Sequence, residues 1–190
     1  MKNRSRVLAA VALLLVAAAM LVAADKPKAL HVGDKVPDFT VTDLNGKTWK
    51  LSQLHEKAGL KKRVPIVLTF WCSFCHSCRH VEGSLDELAT EYSGKAAIFA
   101  LDASAGEKPK KVAEVVAENE LDVTVLMNSE GNTADLFGTK FTTTTVVIDA
   151  DGVLRYCGQF EHGKQSYAKN ALAAVLDNKE VVTKTTPHRG

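Results

Sequence analysis

Three cysteines stand three residues apart in the segment FWCSFCHSC, residues 70–78, and form two overlapping CxxC pairs. By spacing, Cys72 pairs with Cys75, and Cys75 pairs with Cys78. A CxxC pair can exchange a disulfide with another protein, ligate zinc or an iron–sulfur cluster, or attach haem when a histidine follows. His76 follows Cys75 and completes the last of these patterns. The elements around the cysteines must decide between these chemistries.

The cysteines lie at the junction between a predicted strand and a predicted helix. Residues 64–70, VPIVLTF, form a short apolar run that is typical of a buried strand. From Cys75, apolar residues recur at steps of three and four as far as Tyr92, which predicts an amphipathic helix ended by Gly94. Cys75 then falls in the first helical turn, where unpaired N–H groups and the helix dipole favour a thiolate. Cys78 follows one turn later on the apolar face, so an activated sulfur has a half-buried neighbour.

The rest of the chain alternates strand and helix patterns. Hairpins are predicted around Asn45-Gly46 and around residues 149–152. The other predicted elements are strands at 96–101, 123–127, 144–148 and 153–157, and helices starting at Pro109, at 133–137 and at 165–177. This order predicts one α/β domain with a mixed sheet over residues 25–178, followed by a loose polar tail at 179–190.

A basic start and an apolar run characterise the N-terminus. Lys2, Arg4 and Arg6 precede residues 7–24, which contain no charged or polar side chain. The pattern predicts that residues 1–24 are an export signal peptide, or an uncleaved membrane anchor, because a run of this length just spans a bilayer. In either case the rest of the chain is expected to be extracytoplasmic, periplasmic or secreted, where disulfides persist.

The charge balance argues against nucleic-acid binding. The chain has a formal net charge of +2, and its basic N-terminal segment contributes three positive charges and no negative one. The remainder is therefore close to neutral, which predicts no broad basic surface.

Three segments of the chain resemble the thioredoxin superfamily, in particular exported thiol–disulfide oxidoreductases of the TlpA/ResA type and related redoxin domains. They are GDKVPDFTVTDLNGKTWKLSQL, FWCSFCHSCR and LFGTKFTTTTVVIDADG, and the resemblance covers most of residues 31–177. It implies a thioredoxin-like α/β fold, with a mixed central sheet flanked by helices and an N-terminal β-hairpin extension. It also implies that Cys75 attacks a disulfide and that Cys78 resolves the intermediate, with no cofactor and no metal.

The resemblance also implies roles for several neighbours of the cysteine pair. Phe74 takes the place of an aromatic residue that shields the pair, and Trp71 packs beneath it. Thr143 stands where such proteins usually have a cis-proline, and we expect a trans peptide there because a cis bond without proline costs about 3 kcal/mol. Thr69 stands where such proteins often have a buried acidic or amide residue that assists proton transfer to and from the second cysteine. His76 would stabilise the neighbouring thiolate if protonated, and otherwise is a solvated residue at the helix end.

Two further cysteines are candidate auxiliary thiols. Cys72 precedes Cys75 by three residues, and Cys157 ends the last predicted strand, a place that lies near the pair in the resembling fold. Each is either a small buried side chain or a thiol that exchanges disulfides with Cys75.

Cofactor attachment and metal binding are two alternatives. The string CSFCH at residues 72–76 matches a c-type haem site. An iron–sulfur, zinc or copper centre, for metal binding or metal transfer, would use Cys72, Cys75, Cys78 and Cys157.

A thiol peroxidase and a binding module are the other two alternatives. Pro65, Thr69 and Cys72 match the PxxxTxxC string of peroxiredoxins, but here Pro65 opens the strand instead of following it. A binding module that has lost exchange would be indifferent to Cys75→Ser.

The favoured interpretation is an exported thiol–disulfide oxidoreductase whose redox pair is Cys75-His76-Ser77-Cys78. Its expected partners are exported cysteine-containing proteins and an electron donor or acceptor. A membrane is expected as a partner only if residues 7–24 remain attached.

Overall fold

The computed structural model describes residues 28–187 of the chain. The expected signal peptide or anchor, residues 1–24, lies outside this range. Within it, no helix is long and apolar enough to cross a membrane.

Within residues 28–187, a seven-stranded mixed sheet forms the centre of the domain, in the order β2-β1-β5-β4-β3-β6-β7. The strands are β1 Thr40–Asp43, β2 Thr48–Lys50, β3 Ile66–Trp71, β4 Ala97–Asp102, β5 Thr124–Met127, β6 Thr144–Ile148 and β7 Leu154–Gln159. Strands β3, β4 and β5 run parallel, and the other neighbouring pairs are antiparallel. The predicted mixed α/β fold is confirmed. The β1–β2 hairpin, which turns at Gly46 with φ 81°, joins the sheet as the expected N-terminal extension.

In the described part of the chain, five helices surround the sheet. They are α1 Leu54–Lys57, α2 His76–Glu91, α3 Pro109–Glu118, α4 Asn132–Leu136 and α5 Tyr167–Leu176, with a 3₁₀ turn at Leu51–Gln53 before α1. Helix α3 begins at Pro109 as predicted, because a proline at the first helical position loses no hydrogen bond.

The sheet separates two apolar clusters, one on each face. Val67 and Trp71 of β3 belong to the first cluster, whereas Leu68 and Phe70 belong to the second, as expected because successive strand side chains point to opposite faces. The first cluster also contains the inner side of α2, formed by Cys78, Val81, Leu85 and Leu88. Burial on both faces explains why β3 is a continuous apolar run rather than an alternating one.

The C-terminal segment, residues 181–187, is packed against β7 instead of being loose. Val181 is buried, and Lys184 accepts a hydrogen bond from Cys157 N (3.1 Å) through its carbonyl oxygen. The Thr186 hydroxyl accepts another from Gln159 N at 2.7 Å. The expectation of a loose tail is wrong here, because β7 is the edge strand of the sheet and its backbone groups need partners.

Candidate active site

Cys75 caps the N-terminus of helix α2. Strand β3 ends at Trp71, the chain turns over four residues, and the helix begins at His76. Cys75 has an extended backbone, φ −85° and ψ 115°, and its Sγ accepts a hydrogen bond from Cys78 N at 3.3 Å. The sequence predicted this sulfur within the first turn. The structure puts it one step earlier, at the capping position, where the backbone N–H groups of the first turn point towards it.

The surroundings of Cys75 favour its thiolate. Partial burial opposes ionisation, but the hydroxyl of Thr142, the thiol of Cys78 and the N–H groups of Cys78 and Ser77 donate hydrogen bonds that outweigh it. Together these donors lower the pKa of Cys75 below its ordinary value. Thiolates are the nucleophiles of disulfide exchange, so this sulfur is the reactive one of the pair.

Thr142 is a site residue that the sequence interpretation missed. Its Oγ1 lies 3.0 Å from Cys75 Sγ, and it must be the donor whenever Cys75 is ionised. The sequence pointed instead to the next residue, Thr143, because that position corresponds to the proline of the resembling family.

Thr143 has a different role, since it fixes the loop backbone. Its N–H donates to the Phe70 carbonyl at 2.6 Å, and its own carbonyl accepts from Phe160 N at 3.0 Å. It adopts φ 62°, an uncommon conformation for a β-branched residue. No cis peptide occurs among the described residues, so the trans bond expected before Thr143 is confirmed.

Cys78 is the protonated partner of the pair. It is completely buried on the inner face of α2. Burial, together with the hydrogen bond and charge of Cys75, raises the pKa of Cys78 far above the ordinary cysteine value. The two sulfurs of the CxxC pair therefore have opposite proton preferences.

The structure brings Cys72 to the pair. Its carbonyl accepts from Cys75 N at 3.3 Å, and its backbone also contacts the Cys78 thiol. The Cys72 side chain is 3% exposed, and burial raises its pKa to about 11. This thiol stays protonated near neutral pH.

The structure does not bring Cys157 to the pair. Its side chain packs with the second apolar cluster, whereas Cys75 and Cys78 belong to the first. The expectation that it lies near the pair is wrong, because residues at successive positions of β7 face opposite sides and Tyr156 occupies the side of the pair. Burial raises the pKa of Cys157 to about 11.

Trp71 lies beneath the cysteine loop and is held by charged groups of α2. It is 1% exposed, and its Nε1 donates to Glu82 Oε1 at 2.7 Å. Arg79 donates to the same Glu82 oxygen at 2.6 Å and lies over the indole ring, 5.4 Å from its centroid. The ring is therefore fixed in position under the loop.

Phe74 is mostly exposed rather than packed over the pair. It is 74% exposed and precedes Cys75, while Phe141, at 47%, precedes Thr142. A cavity of about 140 Å³ opens beside Phe141 and is lined by Trp71, Phe141 and Thr142, among others. The two exposed rings thus belong to the residues that directly precede Cys75 and Thr142, whose side chains are in contact, and we call Phe74 and Phe141 the aromatic rim.

Thr69 and His76 make contacts outside the cysteine pair. Thr69 is fully buried, and its hydroxyl is hydrogen-bonded to the Thr145 hydroxyl at 2.9 Å. His76 is exposed, and its ring packs edge-to-face with His80 at 5.0 Å between centroids.

The geometry disfavours the alternative sites. In residues 28–187 no group of three or more His, Cys, Asp or Glu side chains is placed to hold a metal ion, and Cys157 is separated from the other cysteines by the sheet. The c-type haem pattern is disfavoured because its first thiol, Cys72, is buried. The peroxiredoxin string fails because Thr69 lies inside β3 and bonds to Thr145, not to Cys72.

A thioredoxin-like sheet with an ionisable cysteine capping the helix after its central strand defines a thiol–disulfide oxidoreductase. The chain belongs to the AhpC/TSA family, whose sequence profile matches residues 32–157. It is 28% identical over 131 residues to the thioredoxin-like protein YneN of Bacillus subtilis, covering 68% of this chain and 72% of YneN. It is 32% identical over 130 residues to the thiol-disulfide oxidoreductase ResA of Bacillus anthracis, covering 68% and 69%. A crystal structure from Chlorobium tepidum, proposed to be the thiol:disulfide interchange protein DsbE, superposes with a TM-score of 0.60 at 26% identity, covering 79% of this chain and 98% of that one.

Proposed function

We propose that this protein exchanges disulfides with exported cysteine-containing proteins through Cys75 and Cys78. The Cys75 thiolate attacks one sulfur of a partner's disulfide and forms a mixed disulfide, and the partner's other sulfur leaves as a thiolate and takes up a proton. Cys78 then loses its proton and attacks Cys75, which releases the partner's second sulfur as a thiol. The partner gains two electrons and two protons, and a Cys75–Cys78 disulfide remains. The reverse sequence oxidises a dithiol partner.

The observation that carries this proposal is the contact between Cys75 Sγ and its donors, Cys78 N at 3.3 Å and Thr142 Oγ1 at 3.0 Å. These bonds favour an anionic sulfur at one position, while complete burial keeps the second sulfur protonated until attack is needed. A pair in which both thiols were equally acidic would have no preferred order of attack.

The aromatic rim supports a protein substrate. Phe74 and Phe141 present exposed apolar surface next to the sulfur, and such surface favours contact with an apolar segment of a partner. The backbone N–H of Thr143 already donates within the fold, so a carbonyl of the partner's main chain cannot pair with it. Side-chain contacts at the rim therefore contribute to recognition.

Export of the chain is supported by its sequence. The basic start and the apolar residues 7–24 are typical of a signal peptide or anchor. In an extracytoplasmic compartment, partner disulfides are available as substrates.

Trapping the intermediate tests the proposal. Cys78→Ser should accumulate a mixed disulfide between Cys75 and a disulfide-containing substrate such as insulin, and non-reducing electrophoresis with mass mapping would detect it. Cys75→Ser should abolish both trapping and exchange, and Cys157→Ser is the matched control, which should exchange at the unmodified rate. A binding module is the correct reading if Cys75→Ser binds the substrate unchanged and the original protein never reduces it.

A further inference from the structure

A buried carboxyl group lies behind the cysteine loop, outside the contacts described above for the thiol pair. Asp102 ends β4 directly opposite Trp71 of β3 and is completely buried. Its Oδ1 accepts from Ser104 N at 2.8 Å, but its Oδ2 has no hydrogen-bond partner. A buried carboxylate oxygen without a donor is costly, so this group needs either a proton or a donor.

A second carboxyl group connects Asp102 to the cysteine loop. Glu107 accepts hydrogen bonds from both the backbone N–H of Ser73, at 3.1 Å, and the Ser73 hydroxyl. Ser73 lies between Cys72 and Phe74, and its carbonyl accepts from Arg79 at 2.6 Å. The loop is thus held by an acid on one side and by a guanidinium on the other.

The two carboxyl groups affect each other. Burial raises the pKa of Asp102 to about 7, and Glu107 adds to this effect because it can accept a hydrogen bond from protonated Asp102 and carries a negative charge. Two adjacent carboxylates repel each other, whereas one shared proton lets the protonated group donate to the other. That proton would also supply the donor that Oδ2 lacks.

The other elements around Asp102 provide no compensating charge. On β5 its neighbour in the sheet is Met127, and helix α3 turns its buried residues Val112 and Val115 inward. On α2, Glu82 and Arg79 face Trp71 and are bonded to each other. After β3 comes the Cys72 thiol, which is hydrogen-bonded to Ser104.

We propose that Asp102 and Glu107 form a proton-sharing pair that positions the loop Cys72–Phe74. With one proton between them, Glu107 is fixed at both ends and holds Ser73, so Cys72 stays buried. When the proton is lost, repulsion moves Glu107 away from Asp102. The hydrogen bonds between Glu107 and Ser73 then weaken, and the Cys72 thiol becomes exposed to solvent. Asp102 and Glu107 are positioning residues for the exchange site, and they make Cys72 more accessible at higher pH.

This inference rests on the proposed function, because it treats the loop as part of the exchange site. Its test nevertheless needs no partner protein, since it follows alkylation of Cys72 by N-ethylmaleimide with mass mapping. The exposure of Cys72 should cost about the free energy of one hydrogen bond less when the acid pair has lost its proton. This corresponds to a roughly three- to tenfold higher rate of Cys72 alkylation. Because every thiol reacts faster as pH rises, the original protein is compared with its variants at the same pH.

Three variants isolate the pair. Asp102→Asn donates to Glu107 at every pH, so Cys72 labelling should be equal to that of the original protein at pH 6 and several-fold slower at pH 8.5. Glu107→Gln also removes the repulsion, but its amide keeps only one of the two oxygens that accept from Ser73. Cys72 should therefore label faster than in the original protein at pH 6, and the labelling should show no added increase from repulsion at pH 8.5. Ser73→Ala keeps the acid pair but cuts its hydroxyl link to the loop, so Cys72 should label faster even at pH 6.

The outcomes separate the two proposals. A constant labelling ratio between Asp102→Asn and the original protein from pH 6 to 8.5 would overturn the inference, as would a Ser73→Ala variant that labels like the original. A labelling ratio that changes with pH, in a protein that shows no disulfide exchange, would support the acid pair and contradict the proposed function.

Discussion

Replacing Thr142 by valine should make Cys75 markedly harder to ionise. The Thr142 hydroxyl lies 3.0 Å from Cys75 Sγ and donates to the thiolate, and valine keeps the shape of the side chain without the donor. A hydrogen bond to a charged group contributes about 1.5–3 kcal/mol, which corresponds to roughly 10- to 100-fold in the thiolate–thiol equilibrium. Cys75 is partly exposed, so water replaces some of the lost bond and we expect the lower end, about tenfold.

The assay for this change is thiolate absorbance at 240 nm against pH, with Cys72→Ser and Cys157→Ser in the background. Absorbance is preferable to an alkylation rate, because a thiolate of higher pKa is intrinsically more nucleophilic and would hide part of the effect. Thr142→Ser is the matched control, since it keeps the hydroxyl, and it should titrate close to the original protein. Superimposed curves for the valine, serine and original proteins would refute the role assigned to Thr142.

Three further predictions concern the rest of the structure. Asp102→Asn should gain stability relative to the original protein as pH rises from about 4 to about 7, by a few kcal/mol at most. The reason is that the folded Asp102 carboxyl, with a pKa of about 7, keeps its proton over a pH range in which the unfolded one ionises. Urea midpoints of the two proteins that differ equally at pH 5 and pH 8 would contradict this. Gly158→Ala should destabilise the fold by about 1–3 kcal/mol, since the added Cβ would lie 2.7 Å from Thr186 N in the C-terminal segment. An unchanged urea midpoint would exclude the packing described for that segment. Cys157→Ser should leave the rate of disulfide exchange unchanged because its side chain lies on the other face of the sheet, and a large loss of exchange in an insulin reduction assay would show that the sheet does not isolate it.

The elements that position the reactive sulfur were predictable because their signals are local. The apolar run of β3 and the three- and four-residue spacing of α2 each lie within one continuous segment, and β6 was predicted at residues 144–148 as observed. The position of Cys75 at the start of α2 follows from these two patterns alone.

The contacts that complete the site were not predictable because they join distant parts of the chain. Thr142 is 67 residues from Cys75 in sequence, and only the antiparallel pairing of β6 with β3 brings it close. Cys157 was misplaced because the face of a strand residue depends on register, and the β6–β7 ladder is irregular between Val147 and Ile148. The acid pair was missed because nothing in the sequence around Asp102 marks its burial.

A residue-resolved titration of the cysteines, by alkylation at a series of pH values with mass mapping of each site, would show whether the helix cap makes Cys75 the reactive thiol. We expect Cys75 to ionise first, at a pH below that of an ordinary cysteine, and Cys72 and Cys78 to ionise well above it. If Cys75 titrates like a cysteine in an unfolded peptide, or if either neighbour ionises before it, the helix-capping thiolate is not the source of reactivity.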